Sequence, residues 1–590
     1  VTAADSRVLT VRADSFFVRS ERGVWLRNAV GSFSVDGGGA YELVALLFDR
    51  LDGSRTTADA LDGLAAPVRD AAGRLVNVLV RNGFVKEVDL PAETVPDWLR
   101  TLYPEQLAYV DQHADHPVRR LTQVRNAPVA CIGDGMLFRV VAGVLGDYGF
   151  ADVRLATTQP QRSVADVIDS AAGRDHGLRW HVAGTGADRL TELMALPAVA
   201  RAGYMLLASD AADPADIAAA EGVARSRGQV VGVLARAGGL LVAGPLGSAE
   251  PWCWHCLSRW VRATEQPDVP ATVAAAPATL AALPLVNRLF CRIAGPPVPE
   301  DRSVTTVDEC TPTVRVHRAL PHPRCPLHGA TSAAGAAIRW TDAPTRPDVP
   351  SPDDPAEVVA AHDRIVAAAG AWTDRITGPL LACEEADLSQ VPLAASRCTV
   401  RDPVTGAAVE LRCHGISPRE TRNQVALIGL ERLAEGTAEI HGAGWSAAEA
   451  AYRALFTAAI RTPATPPAGW HEVPDTEEAL TLRGFLLGIA GGPVQRSEPV
   501  TLPSGFVRVT VRDRDRTADG LGLDVEHALN QALLNLAAHP GERTALLRPP
   551  TQTWAGAVER LTAPAFRDAA HRLPFLDGAA YLVAVPGATR

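Results

Sequence analysis

Short runs of alternation open the chain. Residues 8–19 (VLTVRADSFFVR), 23–29 (GVWLRNA) and 31–36 (GSFSVD) read as three strands, with apolar side chains at every second position. GGAYELVALLFDRLDGS then switches to helical spacing, with Leu43, Leu46, Leu47 and Leu51 on one face, and stops at Asp52-Gly53. TTADALDGL reads as a short helix capped by Thr56 or Thr57. PVRDAAGRLVNVLVRNG reads as a longer helix, with Pro67 at its start and Gly83 past its end, and FVKEVDL returns as a strand. Strands around three helices over residues 1–94 predict a winged helix-turn-helix.

Further along, residues 95–126 read as a helical connector. In APVACIGDGMLFRVVAGVLGDYGFADVRLATT, 127–158, an apolar strand runs into Gly133-x-Gly135, then a helix, then the strand DVRLA. That is a β-α-β unit of nucleotide-binding type. Residues 339–357 are rich in Pro and Asp and read as a linker. Beyond it, GISPRETRNQVALIGLERLAE (415–435) and GLGLDVEHALNQALLNLAAHP (520–540) are helices with glycine entries and the caps Ser417 and Asp524. The expectation is an α/β multidomain protein divided at 1–94, 95–126, 127–338, 339–357 and 358–590.

Composition narrows the function. A chain of 590 residues needs three or four cores. It has no run of eighteen apolar residues and no signal-peptide pattern at its start, so a cytoplasmic, membrane-free protein is expected. Nine cysteines, an odd number, argue for a reducing compartment rather than a disulfide framework. The net charge is −10, and Lys86 is the single lysine. Lys86 is not in a glycine-rich loop, which excludes a Walker-type P-loop. Residues 1–95 hold 11 Arg plus Lys against 13 Asp plus Glu, so the winged helix is not expected to track nucleic-acid phosphates.

Metal chemistry is written in PWCWHCLSRW, 251–260, where Cys253-x-x-Cys256 suits one tetrahedral ion. LPHPRCPLHG offers a second pair, Cys325-x-x-His328. A closed Cys3His zinc site follows, one that staples rather than catalyses. Cys291, Cys310 or His322 could replace a member of the quartet, and a redox Cys-x-x-Cys is the competing reading.

Three resemblances organise these motifs. The order of elements around FDRLDGSRTTADAL resembles the PqqD-like peptide-recognition domain, also called the RiPP recognition element. It implies that a precursor's leader peptide adds a strand beside residues 31–36, with Phe33 and Val35, against the helix 67–82, with Arg74, Val78 and Arg81 as groove residues. The segment 127–158 resembles the start of the ThiF-like fold, whose members commonly carry a late pair of zinc knuckles. AGPLGSAEPWCWHC has the phrase that often leads into the first knuckle, and His328 stands where a fourth cysteine is usual. Two departures imply a lost nucleotide site: Phe138 at the third glycine position, and Leu155-Ala156-Thr157 where a ribose-binding acid should end the strand. The two C-terminal helices resemble those of the YcaO family, which carry glutamates and a glutamine for magnesium and ATP. In ALIGLER, Gly429 is assigned to the first glutamate position while Glu431 and Arg432 survive. In ALLNLAA, Asn535 and Ala538 replace a glutamate and a glutamine. Each change removes a hard oxygen ligand, and about 235 residues is short for a YcaO domain.

In this order the motifs resemble the leader-binding partner protein of azole-forming peptide cyclodehydratases, thiopeptide systems among them. The resemblance implies a non-catalytic scaffold with one structural zinc, no bound ATP and no catalytic residue of its own. It implies a ribosomal precursor peptide and a YcaO cyclodehydratase as partners, and it is compatible with an azoline dehydrogenase and with homo- or hetero-oligomers. The alternative is an ATP-dependent ThiF-like adenylating enzyme acting on a peptide.

Overall fold

The computed structural model describes residues 6–12, 14–29, 31–88, 95–248, 252–261, 272–298, 302–328, 355–435, 439–463, 469–474, 481–551, 553–562 and 565–586. The chain divides into two compact units. Unit 1 comprises Val1–Arg236, Leu240–Ala249 and Val269–Arg315, and unit 2 comprises Ala237–Gly239, Glu250–Asp268 and Val316–Arg590. Among the described residues no helix is long and apolar enough to cross a membrane.

Unit 1 begins with strands β1 (Val8–Val11), β2 (Phe16–Ser20), β3 (Gly23–Arg27) and β4 (Ser32–Asp36). The run 8–19 is therefore two strands, not one. The chain turns at Arg12–Ser15, where the Ser15 amide donates to the Arg12 carbonyl (3.0 Å) and the Arg12 amide to the Phe84 carbonyl (3.0 Å). The alternation was right on both sides of the turn, but its two halves join different sheets, β5-β1-β6 and β2-β3-β4. Strand β5 (Asp52–Thr56) has no apolar alternation to announce it; pairing with β1 extends it. Helices α1 (Ala40–Arg50), α2 (Thr57–Ala60) and α3 (Ala66–Arg81) follow, but α1 buries Ala40, Val44 and Leu47 while Leu43 and Leu46 are only half-buried and Leu51 is its C-cap. Thr56 is the α2 cap, its side chain accepting from the Asp59 amide. Helix α3 buries Ala72, Leu75, Val76 and Leu79 and is followed by β6 (Val85–Val88).

Residues 95–126 form α4 (Asp97–Leu102), α5 (Pro104–His113) and α6 (Pro117–Asn126). They do more than connect: Leu99, Tyr103, Val110, Leu121 and Val124 are buried in the same core as the following sheet. Lys86 forms an ion pair with Asp111 (2.5 Å) and is nearly buried, so this lysine has a packing role. The sheet is built from β7 (Val129–Gly133), β8 (Val153–Thr157), β9 (His181–Thr185), β10 (Tyr204–Ser209), β11 (Val230–Ala237), β12 (Leu240–Gly247), β13 (Ser303–Asp308) and β14 (Val314–Arg318), in the order β14-β13-β12-β11-β10-β7-β8-β9. Strands β11, β10, β7, β8 and β9 are parallel neighbours, and α7 (Gly135–Asp147) follows β7, completing the β-α-β unit.

Of the expected linker, residues 339–354 lie outside the described residues, and 355–357 already belong to the helix Pro355–Trp372. Unit 2 contains a four-stranded sheet (Leu380–Glu384, Ala394–Arg401, Ala408–Gly415, Arg543–Thr544), a three-stranded sheet and a five-stranded sheet. Its helices Pro418–Ala434, Ala447–Ile460 and Val525–Ala537 are capped by Ser417, Ser446 and Asp524, whose side chains accept backbone amides.

The last two of these helices belong to an internal repeat. Gly442-x-Gly444-x-Ser446 and Gly520-x-Gly522-x-Asp524 have one spacing, a strand followed by a cap. In the first copy, a Cβ on Gly442 would lie 2.2 Å from the Ala450 carbonyl oxygen and 2.3 Å from the Ala454 amide. In the second, a Cβ on Gly520 would lie 2.2 Å from both the Ala528 oxygen and the Ala532 amide. The glycines are there because each strand touches the backbone of its own helix, which no side chain allows.

Candidate functional site

The four cysteine and histidine ligands come from two short knuckles. Cys253 precedes the helix Trp254–Trp260 and Cys256 sits in its first turn. The second knuckle is tied down by the Cys325 amide, which donates to the His322 carbonyl (3.0 Å). Trp260 links the two segments: its indole N–H donates to the Leu320 carbonyl (3.2 Å), and its ring lies 4.3 Å from that of His322. Trp252, Trp254 and Trp260 are themselves buried, and the three cysteines are at most 3% exposed.

The edges of the quartet are 3.8 Å (Cys253–Cys256), 3.5 Å (Cys253–Cys325), 3.4 Å (Cys256 to His328 Nδ1) and 3.7 Å (Cys325 to His328 Nδ1). An ion bound to sulfur at about 2.3 Å in a tetrahedron requires edges of about 3.8 Å between sulfurs. The arrangement could therefore hold a metal ion. Hydrogen bonds from Cys253 and Cys256 push the Cys325 thiol far down. For Cys256 the bond from Cys253 acts downward, but Cys325 and burial outweigh it and push this thiol up to about 12. A dication among the three would stabilise their thiolate forms together. Of the three alternative ligands, two lie in the other unit and the third, His322, sits beside the quartet with its Nδ1 engaged. Cys291 contacts Tyr109 Oη (3.6 Å) and Cys310 is exposed, both in unit 1. His322 Nδ1 accepts from the Arg324 amide (3.0 Å).

At the start of α7 the backbone amides already have an acceptor within the protein. The Met136 and Leu137 amides each donate to a different carboxylate oxygen of Asp210, both at 2.8 Å. A Cβ on Gly135, at φ +69°, would lie 2.3 Å from that carboxyl group. Asp134 is equally engaged, accepting from the Ser209 hydroxyl (2.9 Å) and the Asp210 amide (3.1 Å). Helix N-termini attract anions, and this one already holds one. Phe138 faces the core at 1% exposure. Replacing Asp210 by alanine leaves two amides without their acceptor, and urea denaturation is expected to show a loss of about 1–2 kcal/mol.

In unit 2 a cavity of about 450 Å³ is lined by Ile428, Glu431, Arg453, Thr457, Gln531 and Asn535, among others. The repeat sets four of these in equivalent places: Arg453 with Gln531, and Thr457 with Asn535. The expected role of Gly429 needs correcting. A Cβ there would lie 3.0 Å from Cys398 Sγ and 3.2 Å from Val400, so Gly429 faces the sheet. Ile428, one helical turn before Glu431, lines the cavity with it. Ala538 is the C-cap of its helix.

The cavity's polar groups answer one another. Arg453 Nε donates to Glu431 Oε1 (2.7 Å) and Arg453 Nη1 to Gln424 Oε1 (3.2 Å). Glu431 also accepts from the Ala443 amide (3.3 Å) and pairs with Arg543 (3.5 Å). Gln531 donates to Asn535 Oδ1 (3.2 Å) and accepts from the Leu547 amide (2.9 Å), and Asn535 donates to the Asp519 carbonyl (2.6 Å). A larger cavity, about 810 Å³, has Trp445, Trp554, Ile416, Glu420 and Arg548 in its wall, and no sequence motif announced it. Burial pushes the Glu420 carboxyl above its usual range.

In the N-terminal sheet β4 is an edge. The Gly37 amide donates to the Arg22 carbonyl (2.8 Å) and the Asn28 amide to the Gly31 carbonyl (3.0 Å). Antiparallel alternation then turns the backbone of Phe33 and Val35 toward β3, and that of Ser32, Ser34 and Asp36 toward the open side. The side chains of Phe33 and Val35 pack on the core, with Phe33 edge-on to Phe84 at 5.2 Å. On α3, Arg74 and Arg81 are exposed and Val78 is partly buried against the core. The opposite edge strand, β2, exposes Phe16 and Val18, which sequence reading had not singled out.

No protein-family model matches the chain, and no curated protein does. Solved structures do. The chain is similar to a heterocyclase in complex with substrate and cofactor over 99% of its own length and 95% of that chain, at 11% identity and a TM-score of 0.51. It is similar to E. coli MccB over 56% of its length and 99% of that chain, at 14% identity and a TM-score of 0.43. MccB with ATP gives 54%, 99%, 13% and 0.40. The heterocyclase likeness of fold takes in both units of the chain.

Proposed function

We propose that this chain is a non-catalytic, leader-binding subunit of a peptide cyclodehydratase. It takes the leader of a ribosomally made precursor peptide as an added strand on β4 and holds the rest of the peptide for a separate YcaO enzyme. That enzyme would use ATP to form azolines at Cys, Ser or Thr. The chain's contribution is effective concentration and orientation. One observation carries the reading: both places where this architecture would hold nucleotide phosphates or their metal are satisfied from within, by Asp210 on the α7 amides and by Glu431–Arg453 in the cavity of unit 2. The full-length likeness of fold to a heterocyclase supports the same setting. In this reading Cys253, Cys256, Cys325 and His328 hold a structural zinc ion, because three thiolates and an imidazole suit zinc and leave no open position.

Fluorescence polarisation tests it. Labelled leaders of precursor peptides encoded beside this gene are expected to bind the full, zinc-loaded chain at micromolar or tighter affinity. Ser34→Pro removes an amide on the open side of β4 while leaving the β3 ladder intact, a place where edge strands tolerate proline. It is expected to weaken leader binding by at least about tenfold, the worth of one or two strand-addition hydrogen bonds, with unchanged thermal unfolding. Absence of leader binding, together with saturable Mg-ATP binding, would point to the adenylating enzyme instead.

A further inference from the structure

A second group of metal-ligand side chains lies apart from the thiol quartet. His414, His539 and Glu542 place their ligand atoms within 4.8 Å of one another. His414 is near the end of the strand Ala408–Gly415, and the other two form His539-x-x-Glu542 just past the helix Val525–Ala537. The loop is held in place. The Glu542 amide donates to the His539 carbonyl (3.2 Å), and Gly541 takes φ +83° to make that turn. The short strand that follows pairs in parallel with the first, His414 opposite Thr544, and the Ala545 amide donates to the His414 carbonyl (2.7 Å). The imidazoles of His414 and His539 are parallel, with centroids 5.6 Å apart. Glu542 is oriented from both sides: Arg412 Nη1 bonds Oε1 at 3.2 Å, and His414 Nε2 bonds Oε2. Glu542 also lines the 450 Å³ cavity.

We propose that His414, His539 and Glu542 bind a divalent transition-metal ion at the rim of this cavity, with at least one coordination position left open. The donor set is chemically distinct from the thiol quartet. Two imidazoles and a carboxylate suit zinc, cobalt, nickel or copper, and three protein ligands leave room for water or a substrate atom. The ion would displace the His414–Glu542 hydrogen bond and take the same two atoms. Arg412 would keep its hold on the other carboxylate oxygen, as an orienting partner of a metal ligand does. No nucleotide is required.

Cobalt(II) separates the two sites, because a thiolate site shows sulfur-to-metal charge-transfer absorption and a His/Glu site does not. The full chain, with its thiol site already loaded with zinc, is titrated with CoCl2 at neutral pH. One further equivalent is expected, with visible ligand-field bands and no charge-transfer band. His539 is exposed, so His539→Ala should fold as the parent does while weakening this cobalt by at least about 100-fold. Glu542→Gln should weaken it too. A zinc-loaded parent that takes up no further cobalt, or a His539→Ala variant that binds it as tightly as the parent does, would overturn the site and leave the three residues as an ion pair beside a stacked imidazole.

Discussion

Cys325→Ser is expected to lose zinc and to lower the unfolding temperature of unit 2 by on the order of 10 °C or more. Metal content by mass spectrometry should fall from one bound zinc at this site to none, and calorimetry should show the loss. Three facts make the effect large. The knuckles are 72 residues apart in sequence, so the ion closes a long loop. The cysteines are buried, so without metal three polarisable thiols are left clustered in a poorly solvated pocket. Trp260, which bridges the knuckles, also belongs to the core containing Leu380, Val400, Leu427 and Phe575, so loosening the knuckles opens that core. The transition of unit 1, which has a separate core around Leu137, Val141 and Leu285, should move little. A fully stable variant without metal would show that the quartet is not a structural site.

Arg453→Met carries the second largest expected effect, a loss of about 3 kcal/mol or more by chemical denaturation. Arg453 and Glu431 are 4% and 8% exposed, at 2.7 Å. Burial works against the guanidinium charge, but Glu431 outweighs it and holds Arg453 protonated. Removing the arginine strands a buried carboxylate. Arg543 lies farther off, at 3.5 Å, and is half exposed, so it replaces little of the lost pairing. Gln424 Oε1 loses one of its two donors and keeps the Leu546 amide. The double variant Glu431→Leu/Arg453→Met should recover much of the loss, because an apolar pair needs no partner. Additive losses in that cycle would show that the ion pair contributes no coupling energy.

Much of the architecture was legible along the chain. Local chemistry is read locally: alternation marked β3 and β4, helical spacing and caps marked α3 and the helices after Ser417 and Asp524, and Gly133-x-Gly135 marked the first turn of the β-α-β unit. The two Cys/His pairs were legible because a metal site demands certain residue types at short spacing, whatever the fold between them. Other features needed the third dimension. The break at Arg12–Ser15 and the strand Asp52–Thr56 depend on which sheet a segment joins, and no local pattern states that. Gly429 lies on the sheet side of its helix, against Cys398 and Val400, while Ile428 and Glu431 line the cavity, and no local pattern states which face is which. The repeated glycine pairs were visible as letters, but their meaning, strand backbone against helix backbone, is a matter of tertiary contact.

By itself, then, the sequence determined the order of elements, the caps and the composition of the thiol site, because these follow from side-chain chemistry within a few residues. Only the tertiary structure decided that Asp210, seventy-four residues beyond Met136, neutralises the α7 amides, and that His414 meets His539 and Glu542. Interactions between groups so far apart in the chain exist once folding has set their distances, and charge and coordination depend on distance.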